Sequence, residues 1–127
     1  VYELVSELKY HARWIAGVTY LSSDARLEPG LRYESVTVAM GSEMAGRHIV
    51  RQVVEPQMVE IYNVTGPLES TIQYTLAGDE AGTKVTCSFW IWSNHPVFGL
   101  AMPLVEMLAR TRIEGDLKNL KVFAEAG

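Results

Sequence analysis

Histidine is the side chain best suited to move a proton near neutral pH, and this chain has three, His11, His48 and His95. They stand too far apart to form an HxxxH-type metal pair. His48 alternates with Arg47 and Arg51 in a strand-like stretch. Turned inward, with an unperturbed pKa of about 6.5, it can serve as a general acid or base; a satisfied or surface histidine is the competing reading. His11, close to Arg13, is expected to face solvent. Arg112 could offer its planar fork to a ligand carboxylate or enolate, against the alternative of a solvated helix face. Tyr33, Tyr62 and Tyr74 can donate a phenolic hydrogen bond, although tyrosine also packs well in sheets. Cys87 is the only cysteine. It has no CxxC partner and lies mid-strand, where a buried inert thiol is expected. Glu114 and Asp116 are two apart on a helix and diverge in direction, so they make no catalytic pair. No GxSxG, HExxH or phosphate-cradling glycine loop occurs, and neither a metal nor a cofactor is expected.

These residues sit in 127 positions carrying 48% hydrophobic residues and a formal charge of −4. That length is one domain, expected to span 1–127, with room for a core. A mildly acidic chain lacks the basic footprint of a nucleic-acid binder. No apolar run approaches the roughly 18 residues of a membrane-crossing helix. A single cysteine excludes an internal disulfide and suits a reducing cytoplasm.

Five runs rich in Val, Ile, Thr and Tyr predict strands: Leu31–Met40, Arg47–Glu55, Met58–Thr65, Ser70–Ala77 and Thr83–Ser93. A weaker one covers Gly17–Leu21. The breaks are Glu28-Pro29-Gly30, the glycine-bounded loop Gly41 to Gly46, Glu55-Pro56-Gln57, Gly66-Pro67 and Gly78 to Gly82. They are too short for parallel crossovers, so the sheet is an antiparallel meander. Ile72, Tyr74 and Leu76, then Val85, Cys87, Phe89 and Ile91, alternate onto one packed face. Trp90 and Trp92 fall on the wet parity. Either a bulge re-aims them or an oligomer interface, such as a homodimer, covers them. Short helices are expected over Val1–Leu8 and Tyr10–Ile15. The strongest helix follows Pro103, where Leu104, Met107, Leu108, Ile113, Leu117, Leu120 and Ala124 form an apolar stripe over 103–125.

Three stretches carry a family likeness. Val1-Tyr2-Glu3-Leu4-Val5-Ser6-Glu7 looks like a first helix of the V-W-x-L-L-x-D kind, with Trp14 where a tryptophan often follows. Gly82-Thr83-Lys84-Val85-Thr86 looks like a GT-x-V-T strand opening. Leu117-Lys118-Asn119-Leu120-Lys121 looks like an L-x-x-L-K helix signature. In this order the chain resembles the START-like, or SRPBCC, superfamily of polyketide cyclase/dehydrase and lipid-transport proteins. The resemblance implies an α+β helix-grip fold, a curved antiparallel sheet wrapped around a long C-terminal helix with an apolar cavity between them. It also implies a strand before the first helix. The sequence opens on a helix at Val1, so that strand is expected to be missing from this chain.

The implied function is binding or transport of a small hydrophobic molecule such as a lipid, polyketide or quinone. The alternatives are a polyketide cyclase or aromatase using His48, Tyr74 or Arg112, and a protein-interaction module using Trp90 and Trp92. A concave sheet and one helix leave gaps that side chains do not fill, and ligand pockets are mostly apolar with a few placed polar groups. Expected cavity residues are Trp14, Tyr33, Tyr62, Tyr74, Phe89, Ile91, Leu104, Leu108 and Leu117. Met40, Met44, Phe98 and Met102 are expected at its entrance, where adaptable methionine suits varied apolar ligands.

Overall fold

The computed structural model describes every residue except Met40, Glu80, Ala81, Asn94, Pro96, Val97, Phe98 and Gly127, and all their side chains but that of Asp79. Two short helices open the chain, α1 (Tyr2–Ser6) and α2 (Leu8–Trp14). Six strands follow: β1 (Val18–Leu21), β2 (Arg32–Ala39), β3 (Ser42–Val54), β4 (Met58–Thr65), β5 (Leu68–Asp79) and β6 (Gly82–Ser93). A 25-residue helix, α3 (Met102–Ala126), closes it. The strands pair antiparallel in sequence order, β1 to β6, as the short turns require.

Two sequence expectations about the sheet are corrected. The Gly41–Gly46 segment is not a loop. Gly41 lies in the turn, at φ 78°, and Ser42 to Gly46 pair with Ala39 to Ser35. Gly46 is there because of its neighbours: a Cβ on it would stand 2.9 Å from Ser35 Oγ and 3.0 Å from His48 Nε2. Nor does a bulge re-aim the tryptophans. The β5–β6 ladder runs without a register shift from Leu68↔Ser93 to Asp79↔Gly82, so Trp90 and Trp92 point outward and stay 54% and 38% exposed. The shifts lie elsewhere, between Val50 and Gln52 in β3 and between Val18 and Tyr20 in β1.

The core joins Val50, Val59, Ile61, Tyr74 and Leu76 of the sheet to Val5, Leu8 and Trp14 of the first helices and to Leu120 of α3. Helix α3 meets this core through Leu117, Leu120 and Phe123, and in its first half the less exposed stripe differs from the expected one. Met102, Val105, Ala109, Ile113, Asp116, Leu120 and Phe123 are buried or half-buried, spaced three or four apart as one helix face demands. Leu104, Met107 and Leu108 lie off that face, with Leu104 55% and Leu108 49% exposed. Polar contacts set this rotation. Asp116 Oδ1 accepts the backbone N–H of Ala16 at 2.9 Å. Arg112 Nη2 donates to the Ala16 carbonyl at 2.7 Å, and Asn119 Nδ2 donates to the Trp14 carbonyl at 3.3 Å. Three helix side chains thereby satisfy the backbone where α2 turns into β1.

Candidate functional site: a polar seam on the concave face

Cross-strand register builds the site. Tyr33, His48, Asn63, Ser70 and Ile91 are successive partners across β2 to β6, so their side chains share one face. The next row, Val50, Ile61, Ile72 and Phe89, lies on that same face and includes core residues. The seam is therefore polar on an otherwise apolar surface.

Its hydrogen bonds form a chain. Ser35 Oγ lies 2.7 Å from His48 Nε2, and His48 Nδ1 lies 2.6 Å from Asn63 Oδ1. Asn63 Nδ2 donates at 3.3 Å both to the Ile61 carbonyl and to Ser70 Oγ. A carbonyl can only accept, so the Ile61 contact orients the amide with its nitrogen toward Ile61 and its oxygen toward His48. His48 then carries its proton on Nδ1, and Nε2 accepts the Ser35 hydroxyl. Burial lowers the His48 pKa, with the Asn63 bond opposing. The ring is thus neutral at pH 7, as one donor and one acceptor nitrogen require. Tyr33 stacks on it, centroids 4.5 Å apart and planes 21° apart; burial raises the Tyr33 pKa and keeps the phenol protonated.

Ser35, His48 and Asn63 have the spacing of a nucleophile, base and orienting group. The surroundings do not complete such a site. Ser35 lies mid-strand, between Leu21 and Gly46 of the flanking strands, so nearby backbone N–H groups serve the sheet ladders rather than an oxyanion. Ser35 is buried, whereas His48, Asn63, Ser70, Ile72, Phe89 and Ile91 are half-buried.

The other expected site residues are distributed as follows. Trp14 and Tyr74 are buried together, edge to face at 5.6 Å, with the Trp14 indole donating to the Leu4 carbonyl. Phe89 and Ile91 lie on the seam's face, and Leu117 packs against the core at the far end of α3. Tyr62 stands on the opposite face, because its partners are Ile49 and Thr71. There it bonds Glu69, lies under Arg51 and leans on Trp92. Arg112 is engaged with Ala16. Leu104 and Leu108 are outside the packed stripe, with Val105 and Ala109 in their place. Met44 is exposed in β3 and Met102 half-buried at the start of α3; Met40 and Phe98 lie outside the described residues. His11, expected in solvent, is 3% exposed. Its Nε2 bonds the Val5 carbonyl at 2.7 Å, and its ring meets Trp14. Burial pushes the Cys87 thiol up to about 12, with Asp116 adding to the effect, so no thiolate forms near neutrality. Sequence reasoning missed Ser35, Asn63 and Ser70. The signal was polar residues at inward parity in otherwise apolar strands.

Outside the concave face, a hollow of about 500 Å³ lies chiefly between the outward side chains of Arg32, Glu34, Arg47, Ile49, Tyr62 and Val64. A second, of about 660 Å³, lies instead between the inward side of β6 at Val85 and Leu117, Leu120, Lys121 and Ala124 of α3. Among the described residues no group of His, Cys, Asp or Glu could hold a metal ion, and no helix is long and apolar enough to cross a membrane.

No family model and no curated protein matches the chain. Solved structures do. The Thermus thermophilus protein TTHA0849 superposes with a TM-score of 0.77 at 24% identity, over 99% of this chain and 89% of that one. Ara h 8.0201 gives 0.63 at 13% identity, over 94% and 86%. The fold is a helix grip. DynU16, a protein of the dynemicin biosynthetic locus, gives 0.64 at 18% identity, with 98% of this chain matching 41% of that longer one. At these identities the helix-grip likeness establishes the architecture alone.

Proposed function

We propose that the protein binds a small hydrophobic molecule between the concave face of the sheet and the first half of α3. One observation carries the reading. Ile72, Phe89 and Ile91 on the sheet and Val105 and Ala109 on the helix are only half-buried, while the core row beyond them, Val59, Tyr74 and Leu120, is closed to solvent. Apolar surface partly open to solvent on an inward face gains about 25 cal/mol per Å² when a ligand covers it, and the seam supplies the few polar groups that fix orientation. A biosynthetic-locus protein among the fold neighbours is in keeping with this reading.

Native mass spectrometry of the purified protein, followed by organic extraction, tests it. A stoichiometric apolar adduct is expected, and Ala109→Trp should displace it by filling the space. A clean unliganded mass, with no thermal stabilisation by fatty acids, sterols, quinones or aromatic polyketides, would overturn the reading. A second reading, self-association, is favoured by the outward aromatic group of Tyr62, Trp90 and Trp92. A solution mass of a single chain, unchanged by Trp90→Ser with Trp92→Ser, would remove it.

A further inference from the structure

We infer that the seam is a one-way hydrogen-bond chain ending in a free donor, the Ser70 hydroxyl, and that the ligand's polar end is therefore an uncharged acceptor, a carbonyl oxygen. The inference rests on the concave-face reading above and specifies its ligand class.

The direction follows from the partners. The Ile61 carbonyl orients Asn63, and Asn63 Oδ1 then requires a proton on His48 Nδ1. That leaves Nε2 to accept from Ser35. Every donor points from β2 toward β5, and Ser70 Oγ receives the last N–H. A hydroxyl that accepts one bond keeps its own hydrogen to give. Ser70 is half-buried and paired with Ile91 at the apolar end of the row, and no acceptor for its hydrogen is present among the described residues. A donor in that position is left wanting when an apolar molecule excludes water, unless the molecule brings an oxygen. Bonds along such a chain polarise one another and strengthen the terminal donor. A charged anion is not what the seam favours: His48 is neutral, and the seam contains no cation. Gly46 keeps the chain intact, because any side chain there would strike both Ser35 Oγ and His48 Nε2.

The test is a matched pair of probes differing by one oxygen, 1-tetralone and tetralin, titrated into the full 127-residue chain and followed by amide NMR. The ketone should bind about 2- to 10-fold more tightly, the worth of one neutral hydrogen bond, and shift the Ser70 and Asn63 signals. Ser70→Ala, which removes a single oxygen from a half-buried site, should lower ketone affinity to that of tetralin and leave tetralin unchanged. Equal affinities that Ser70→Ala does not alter would overturn the inference while the apolar site stands. Binding of neither probe, with no displacement of any extracted ligand, would overturn both. A separate readout needs no ligand: imidazole nitrogen shifts should place the His48 proton on Nδ1. A proton on Nε2 would reverse the chain and end the argument.

Discussion

His11 should make this protein lose stability in mild acid, by an amount that one substitution can isolate. Its ring is almost fully buried, and its pKa is lowered to about 4, chiefly by burial and slightly by His48, against the raising effect of the Val5 bond. As pH falls through 6.5 the unfolded chain takes up the proton first, and the native state resists until about 4. The stabilisation is therefore complete above pH 6.5 and is lost on the way down. At about 1.4 kcal/mol per pH unit across that window, the loss amounts to about 3 kcal/mol. His11→Gln keeps a donor for the Val5 carbonyl but cannot charge. It should be the less stable protein near neutrality, because it packs less well against Trp14, and the gap should close by about 3 kcal/mol as pH is lowered to about 4. Urea unfolding followed by tryptophan fluorescence, from about pH 7.5 down to about pH 4, measures this. Other titrating groups act on both proteins. His48, also lowered, adds to the acid loss. Asp116, raised by burial, works the other way, because the native carboxylate is protonated before the unfolded one. A wild-type-minus-variant difference that stays flat across this range would refute the reasoning.

Gly46→Ala should cost about 1–3 kcal/mol by overpacking and break the Ser35–His48 bond, visible as a change in the His48 nitrogen shifts. Asp116→Ala strips the Ala16 N–H of its acceptor and should cost about 1–3 kcal/mol in chemical denaturation, loosening the rotation of α3. Leu120→Ala, at the closed end of the helix, should cost about 2–5 kcal/mol without removing the Ser70 donor. Trp90→Ser and Trp92→Ser, on the outer face, should each stay within about 0.5 kcal/mol in the isolated chain, and a larger loss would mean the tryptophans are covered in solution.

The meander was legible because alternation and short turns are local. Ile72, Tyr74 and Leu76 declare a period of two wherever they fold, and Gly66-Pro67 is too short for anything but a hairpin. The outward parity of the tryptophans could likewise be read, and β6 keeps it without a bulge. Gly46 misled because a glycine inside a strand looks like a loop boundary; the reason for it is Ser35, eleven residues away in sequence and opposite it in space. The same distance hid the seam. His48, Asn63 and Ser70 meet only once β3, β4 and β5 are in register, and the shift after Val50 is part of that register.

Helix α3 divides the two kinds of information most clearly. Its existence, its start near Pro103 and its amphipathic character are properties of the sequence, because they depend on spacing along one element. Its first half, however, carries two apolar faces, one through Leu104 and Leu108 and one through Val105 and Ala109, and spacing cannot choose between them. The choice is made where Arg112 and Asp116 grasp the two backbone groups of Ala16, 96 and 100 residues earlier in the chain. Those groups are left unpaired at a corner that α2 and β1 create, and only the assembled fold brings them to the helix and sets which face it turns to the sheet.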